Sequence, residues 1–158
     1  MLLSESFDGE RALENWTVRT NGTVGRDAGV RVVDGELRLR VFRCHEAIAE
    51  RRFATDADRI RASFAWRTAA EEWYEYPDWR LLAPNDSARN DTLVAGRDVS
   101  RPDMASRRGG RVVTTASAGS ETRLRFSIRP SQYCGRSNHR NTTLWVDDLT
   151  VVEQSPDR

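Results

Sequence analysis

The stretch that decides the fold is Thr143-Leu-Trp-Val-Asp-Asp-Leu-Thr-Val-Val-Glu153. It is rich in β-branched and aromatic residues, which is typical of a β-strand. Because side chains alternate faces along a strand, Trp145, Asp147, Leu149 and Val151 are expected on one face and the residues between them on the other. The neighbouring Asp148 then falls on the opposite face from Asp147. A buried carboxylate is costly unless it is paired, hydrogen-bonded or bound to a metal, so this strand requires a partner for its charge.

A second motif lies near the amino terminus, where Leu2-Leu-Ser-Glu-Ser-Phe-Asp-Gly9 is followed by Asn15-Trp-Thr-Val18. Together with the closing Trp-Val-Asp-Asp-Leu-Thr-Val, this opening resembles the galactose-binding-like jelly rolls, a group that includes many carbohydrate-binding modules. The segments 35–40, 58–66 and 121–128 fall where that family has core strands. The resemblance spans nearly the whole chain and implies an all-β, two-sheet antiparallel jelly-roll β-sandwich.

Hydrophobic periodicity also indicates an all-β chain, because short alternating segments are separated by turn clusters with little helical pattern. Strands are predicted at 3–8, 15–19, 29–33, 36–43, 46–53, 58–67, 78–83, 91–96, 111–116, 121–129 and 143–153. Asp34-Gly35 between two apolar runs predicts a hairpin. The pattern fits one β-sandwich domain over 1–158, with an exposed loop at 97–110.

The bulk composition excludes several classes of function. The chain has 158 residues, enough for one domain with a real core, and a formal net charge of +1. That balance argues against a general nucleic-acid or membrane-surface binder, and no apolar run approaches the length of a membrane span. The segment Met1-Leu-Leu-Ser-Glu5 lacks the basic start and apolar stretch of a signal peptide.

Asparagine usage points to a surface location. Five of the six asparagines begin an Asn-x-Ser/Thr triplet: Asn15, Asn21, Asn85, Asn90 and Asn141. This frequency predicts a glycosylated protein that is extracellular or on a virion surface. Ordinary turn chemistry is the alternative explanation of the Asn-Gly-Thr and Asn-Asp-Ser triplets.

Cysteine and histidine are confined to two segments, Cys44-His45 and Cys134-Gly-Arg-Ser-Asn-His139. A disulfide between Cys44 and Cys134 would close a loop of about 90 residues and stabilise the fold by roughly 4–5 kcal/mol. It would also imply an oxidising compartment. A structural zinc site and two unrelated free thiols are the alternatives.

The family resemblance implies a structural calcium ion. In that family the ion is often held by the acidic residue after the first-strand Phe and by the Asp of the last strand, which are Asp8 and Asp147 here. Asp8 is shorter than the Glu usual at that position. Calcium takes six to eight oxygens, several of them backbone carbonyls, and the Asp8-Gly9 turn could supply some. A salt bridge from these carboxylates to Arg is the alternative.

The densest aromatic segment is Glu71-Glu-Trp-Tyr-Glu-Tyr-Pro-Asp-Trp79. Flat rings stack on the apolar face of a sugar, and neighbouring carboxylates accept its hydroxyl protons. The segment therefore predicts a ligand site made of Trp73, Tyr74, Glu75, Tyr76 and Trp79. The same composition suits a protein interface or one end of the core.

No catalytic pattern accompanies these motifs. The Glu-x-Asp-x-x-Glu type of spacing carried by concanavalin-like hydrolases, a Ser-His-Asp order and a phosphate loop are all missing from the sequence. We therefore expect a non-catalytic, carbohydrate-binding-like recognition module of a surface or extracellular assembly. The second hypothesis is a structural β-sandwich subunit of a virion turret, decoration, tail appendage or cell-surface fibre. Such a subunit would contact neighbouring protein subunits or form a homo-oligomer. A glycoside hydrolase, with carboxylates drawn from the aromatic segment, is the third.

Overall fold

The computed structural model describes residues 2–9, 11–21, 28–42, 45–70, 75–82, 109–117, 122–130 and 141–154. Ten strands make up most of these residues. They are β1 (Leu3–Glu5), β2 (Trp16–Asn21), β3 (Gly29–Val33), β4 (Glu36–Phe42), β5 (Glu46–Phe53), β6 (Arg59–Ala70), β7 (Glu75–Leu82), β8 (Gly109–Ser117), β9 (Thr122–Pro130) and β10 (Asn141–Gln154). Within these ranges no helix is long and apolar enough to cross a membrane.

The strands form two antiparallel sheets. One has the order β3-β4-β10-β6-β8, with β1 also paired to β10, and the other has the order β2-β5-β9-β7. The first and last strands are neighbours, since Leu3 pairs with Val151. The predicted all-β, two-sheet antiparallel sandwich is confirmed.

The core lies between the two sheets because alternate residues of the inner strands are apolar. Leu37 and Leu39 of β4 face the space that Leu124 and Phe126 of β9 also fill, and all four are buried. The ring of Phe126 meets that of Phe64 edge-on, with centroids 5.0 Å apart. Such pairs add about 1 kcal/mol beyond the area they bury.

The long strand β10 contains a β-bulge in the segment with the two adjacent carboxylates. Asp147 pairs with Ala65 of β6, but the next pair joins Thr150 to Ser63, so three steps on β10 oppose two on β6. Asp148 takes a positive φ of 50°, and its amide donates to Asp147 Oδ1 over 2.8 Å. Asp tolerates the left-handed region better than most residues, because its short side chain can hydrogen-bond locally.

The bulge corrects the expected alternation of β10. Strict alternation put Leu149 and Val151 on the same face as Trp145, but both are fully buried with Val146 in the core. One extra residue switches which parity faces inward. The adjacent carboxylates are therefore both outside the core, and this is how an apolar strand accommodates them.

Several predicted boundaries also differ from the structure. Gly109 and Gly110, placed in the exposed loop at 97–110, are paired with Arg67 and Trp66 of β6. A glycine has weak strand propensity, yet it can pair at the position opposite a bulky indole. Strand β7 begins at Glu75 and runs through Pro77, which an edge strand accepts. The rest of that loop, 97–108, and the predicted strand 91–96 lie outside the described residues.

The predicted hairpin at Asp34-Gly35 is confirmed. It joins β3 to β4, with Val33 paired to Glu36 across the turn. Asp34 and Gly35 have φ values of 51° and 77°. Two consecutive positive φ values characterise the turn that matches the twist of a two-residue hairpin.

Candidate functional site

The outer face of the four-stranded sheet carries a recessed surface that we call the arginine groove. It encloses a cavity of about 250 Å³. The residues that line it are Thr17 and Arg19 from β2, Ile48, Glu50 and Arg52 from β5, and Arg123 and Arg125 from β9. Alternation creates it, because Leu124 and Phe126 of β9 point into the core while their arginine neighbours point outward.

The floor of the groove is unusually well covered for the outside of a sheet. Two of its lining residues are almost completely buried, since Ile48 is 7% exposed and Glu50 is 6% exposed. They lie on the outer face, since Ile48 pairs with Ser127 and Glu50 pairs with Arg125 across β5 and β9. The floor is thus shielded from water although no third layer covers this sheet in the described part of the chain.

Glu50 is the polar centre of the groove. Arg125 contacts its Oε2 with both Nε and Nη2, each over 2.8 Å. The other carboxylate oxygen, Oε1, lies 3.5 Å from Arg52 Nε and 3.7 Å from Arg123 Nη1. One carboxylate therefore organises three guanidinium groups but hydrogen-bonds closely to only one of them.

The charge of the groove does not balance. Four arginines and one glutamate line it. Arg19 has no carboxylate within ion-pair distance among the described residues. A concave surface lined by one sign of charge concentrates ligands of the opposite sign.

The outer face of the six-stranded sheet is also rich in arginine. There, however, Arg67 is paired with a carboxylate of its own. Arg67 of β6 donates to both oxygens of Glu36, over 2.7 and 3.2 Å. Its guanidinium also lies 3.9 Å from the ring centroid of Trp145 on β10. The donors of Arg67 are therefore largely used within the protein.

The structure brings the two predicted calcium ligands to the same region. β10 changes its neighbour from β4 to β1 at the bulge, and Asp8 follows β1 there. Burial raises the pKa of Asp147, and the negative charges of Asp148, Glu36 and Asp8 raise it further, against the lowering effect of the Asp148 amide. Asp8 Oδ1 would lie 2.9 Å from a methyl group placed on Gly35, so it sits over the β3–β4 turn.

The donor set at this acidic junction suits a hard cation only in part. Its side chains supply carboxylate oxygens, the ligand type calcium prefers. However, no three carboxylate, His or Cys groups in the described ranges converge as a metal centre would require. A bound calcium ion would therefore need main-chain carbonyls and water beside Asp8 and Asp147.

The predicted aromatic site is described in part. Glu75, Tyr76 and Trp79 lie in β7, the edge strand next to β9, whereas Trp73 and Tyr74 lie outside the described residues. In the backbone register, Trp79 pairs with the core residue Phe126. The strand thus forms one edge of the sheet that carries the arginine groove.

The remaining predicted sites divide in the same way. Cys44 and Cys134 lie outside the described residues, so their disulfide stays a prediction. Asn15 is exposed in the turn just before β2, and Asn21 is exposed at the last residue of β2. Asn141 begins β10, and Asn85 and Asn90 lie outside the described part of the chain.

Sequence reasoning missed the groove residues, although a signal for them was present. Arg123-Leu-Arg-Phe-Ser127 alternates polar and apolar residues, which predicts an outward-facing arginine pair. What the sequence could not supply was the partner, because Glu50 lies 75 positions from Arg125 and meets it only through β5–β9 pairing.

No protein-family model matches the sequence, and no curated protein matches it. Solved structures are similar in fold. One is described as a CBM4 carbohydrate-binding module, with 15% identity over 94% of this chain and 97% of that chain and a TM-score of 0.52. Another is TmCBM61 in complex with β-1,4-galactotriose, with 10% identity over 90% of each chain and a TM-score of 0.51. The chain therefore has the β-sandwich fold of carbohydrate-binding modules.

Proposed function

We propose that this protein is a non-catalytic recognition module that binds a glycan in the arginine groove. The observation that carries the proposal is the recess of about 250 Å³ on the outer face of the four-stranded sheet, with the almost completely buried Ile48 and Glu50 at its floor. Binding sites for small ligands are concave, with a few polar groups placed to fix orientation.

The groove chemistry suits a sugar. Thr17 can donate and accept a hydrogen bond, and the guanidinium groups of Arg52 and Arg123 offer several donors at fixed angles. Sugar hydroxyls are both donors and acceptors, so they match such a mixture. The aromatic segment is a separate candidate contact: Tyr76 lies in β7 at the edge of the same sheet, whereas Trp79 pairs with the core residue Phe126.

The proposal includes the setting of the module. Glycan recognition on a surface or extracellular assembly agrees with the exposed sequons at Asn15 and Asn21. A structural calcium at Asp8 and Asp147 would hold the β1 end against the β10 bulge, away from the groove. Its role there is to neutralise carboxylates, not to contact the ligand.

A glycan array with the wild type and the Thr17→Trp variant tests the proposal. Thr17 pairs with Glu50 at the exposed side of the groove, so an indole there fills the recess without entering the core. We expect binding to at least one glycan class by the wild type and a loss of about tenfold or more in the variant. Tyr76→Ala is a second arm that tests whether the edge strand β7 contributes to binding.

Thr150→Trp is the matched control, because it places the same side chain on the outer face of the other sheet. It should leave glycan binding within about twofold of the wild type. Binding that survives Thr17→Trp, or that is equally lost in Thr150→Trp, would move the site away from the groove.

A structural subunit remains the second candidate, because Trp145 and Arg67 form a stacked pair on the six-stranded sheet. Trp and Arg are the residues that most often dominate protein interfaces. If the wild type binds no glycan and Trp145→Ala abolishes self-association seen by analytical ultracentrifugation, the structural role replaces the glycan role.

A further inference from the structure

We infer that the ligand of the arginine groove is an anionic saccharide, one that carries carboxylate or sulfate groups. The inference rests on the proposed function and goes further, because it names the ligand chemistry of that site. It starts from the unequal contacts of the guanidinium groups to the one carboxylate that they share.

Two arginines of the groove keep most of their hydrogen-bonding capacity. Glu50 Oε2 is occupied by Arg125 over 2.8 Å, but Arg52 and Arg123 stand 3.5 and 3.7 Å from Oε1, beyond good hydrogen-bond length. A guanidinium has five N–H donors, so these two arginines keep most of theirs for another acceptor. Arg19 adds a third guanidinium group, and this one has no carboxylate partner in the described ranges.

The arginines of the groove are spread over three neighbouring strands. Arg123 and Arg125 are two residues apart on β9, about 7 Å along the strand. Arg52 pairs with Arg123 on the adjacent β5, and Arg19 lies one strand further, on β2. The cations therefore extend over about 10 Å across the strands, which suits a chain with several anionic groups better than a single small anion.

Partial burial strengthens the electric field of two arginines in the groove. The half-buried side chains of Arg123 and Arg125 are 29% and 24% exposed, so their charges are less screened than those of free surface arginines. Arg guanidinium forms forked contacts with oxyanions, a geometry that neutral hydroxyls cannot match. An acidic sugar thus gains more from this groove than its neutral counterpart.

The lining of the groove suits a saccharide better than a nucleic acid. Single-stranded nucleic acids need aromatic platforms for base stacking, and none of the described lining residues is aromatic. In contrast, the hydroxyls of a sugar can donate to a carboxylate while its acidic groups meet the rim arginines.

The experiment compares charged and neutral forms of the same backbone by isothermal titration calorimetry of the full chain. The probes are polygalacturonate with its methyl-esterified form, and dextran sulfate with dextran. We expect one acidic probe to bind at least about tenfold more tightly than its neutral partner, with affinity falling as salt increases. Preference for polygalacturonate assigns carboxylate recognition, and preference for dextran sulfate assigns sulfate recognition.

The double variant Arg19→Gln, Arg52→Gln should lower affinity for the preferred acidic probe by about tenfold or more. Its matched control is Arg11→Gln, Arg61→Gln, which removes the same charge from exposed arginines outside the groove. The control should change affinity less than about twofold. An equal loss in both variants would overturn the site assignment.

Other outcomes separate this inference from the proposed function. Groove-dependent binding of neutral glycans on the array, without preference for acidic probes, overturns the inference and leaves the proposed function intact. No glycan binding of any kind overturns both. Equal affinity for a single-stranded oligothymidylate or for poly-glutamate overturns the saccharide assignment in favour of a general polyanion surface.

Discussion

Glu50 and Asp147 are carboxylates on opposite outer faces of one sandwich, and the charges around them have opposite signs. Three guanidinium groups lie within 3.7 Å of Glu50. Around Asp147, the nearby charges are the carboxylates of Asp148, Glu36 and Asp8, and they add to the effect of burial in raising its pKa.

The contrast teaches that a nearly neutral chain can separate its charges into two sites. The formal net charge of +1 hides a cationic groove on one sheet and an anionic junction on the other. Net charge describes the whole surface, whereas binding responds to the local field. Loss of Glu50 and loss of Asp147 should therefore change stability in opposite directions.

The largest expected effect is on the cationic side. Glu50→Gln should lower the free energy of unfolding by about 2–3 kcal/mol, because it leaves the half-buried Arg125 guanidinium without its counter-charge. Urea denaturation measures the change.

Glu36→Gln is the matched control for the other face. The Glu36–Arg67 pair is more exposed, so the same substitution should cost less than about 1 kcal/mol. An equal loss of unfolding free energy at the two positions would contradict the claim that Glu50 holds three guanidinium groups together.

The fold was largely predictable because it depends on local periodicity. The segments predicted at 29–33 and 46–53 coincide with β3 and β5, and Asp34-Gly35 turns as its residues demand. The bulge at Asp147–Thr150 was not predictable, since it depends on where β10 changes its neighbour from β4 to β1. A one-residue shift in register carries no signal in composition.

The candidate site was predictable only in part, for a related reason. Aromatic density drew attention to β7, at the edge of the sheet that carries the arginine groove. The groove itself needs Arg19, Glu50 and Arg125, which come from three strands far apart in sequence. Alternation shows that such residues face outward, but only strand pairing shows which charges meet.

A second prediction concerns the anionic junction and its cation. About 5 mM calcium should raise the free energy of unfolding by about 1–2 kcal/mol, because an ion bound only by the folded state stabilises it by mass action. In a chain of this size that is a rise of a few degrees in Tm. Thermal unfolding with calcium and with a chelator measures it.

The Asp8→Asn and Asp147→Asn variants should lose the calcium response. Asp56→Asn changes an exposed carboxylate in another loop and should retain it. A response that persists in both junction variants would show that calcium binds elsewhere, and the junction would then be an uncompensated acidic surface.

The smallest effect concerns Asp147 without calcium, and its sign is the most informative. Because the pKa of Asp147 is raised above 3.8, the folded protein binds more protons than the unfolded chain as this group titrates. Stability from this group is therefore lost as pH rises from about 3.8 through the raised pKa. In chelator at about pH 7, Asp147→Asn should be more stable than the wild type, by less than about 1 kcal/mol. Its side-chain oxygen can still accept from the Asp148 amide, so the bulge is kept.

The pH dependence of that difference is the decisive measurement. Urea unfolding of both proteins should show the advantage of Asp147→Asn at about pH 7 and its disappearance at about pH 3, where the wild-type carboxyl is protonated in both states. If Asp147→Asn were instead less stable at about pH 7, the carboxylate would be held by favourable contacts. The opposition between the two faces would then fail at its anionic end.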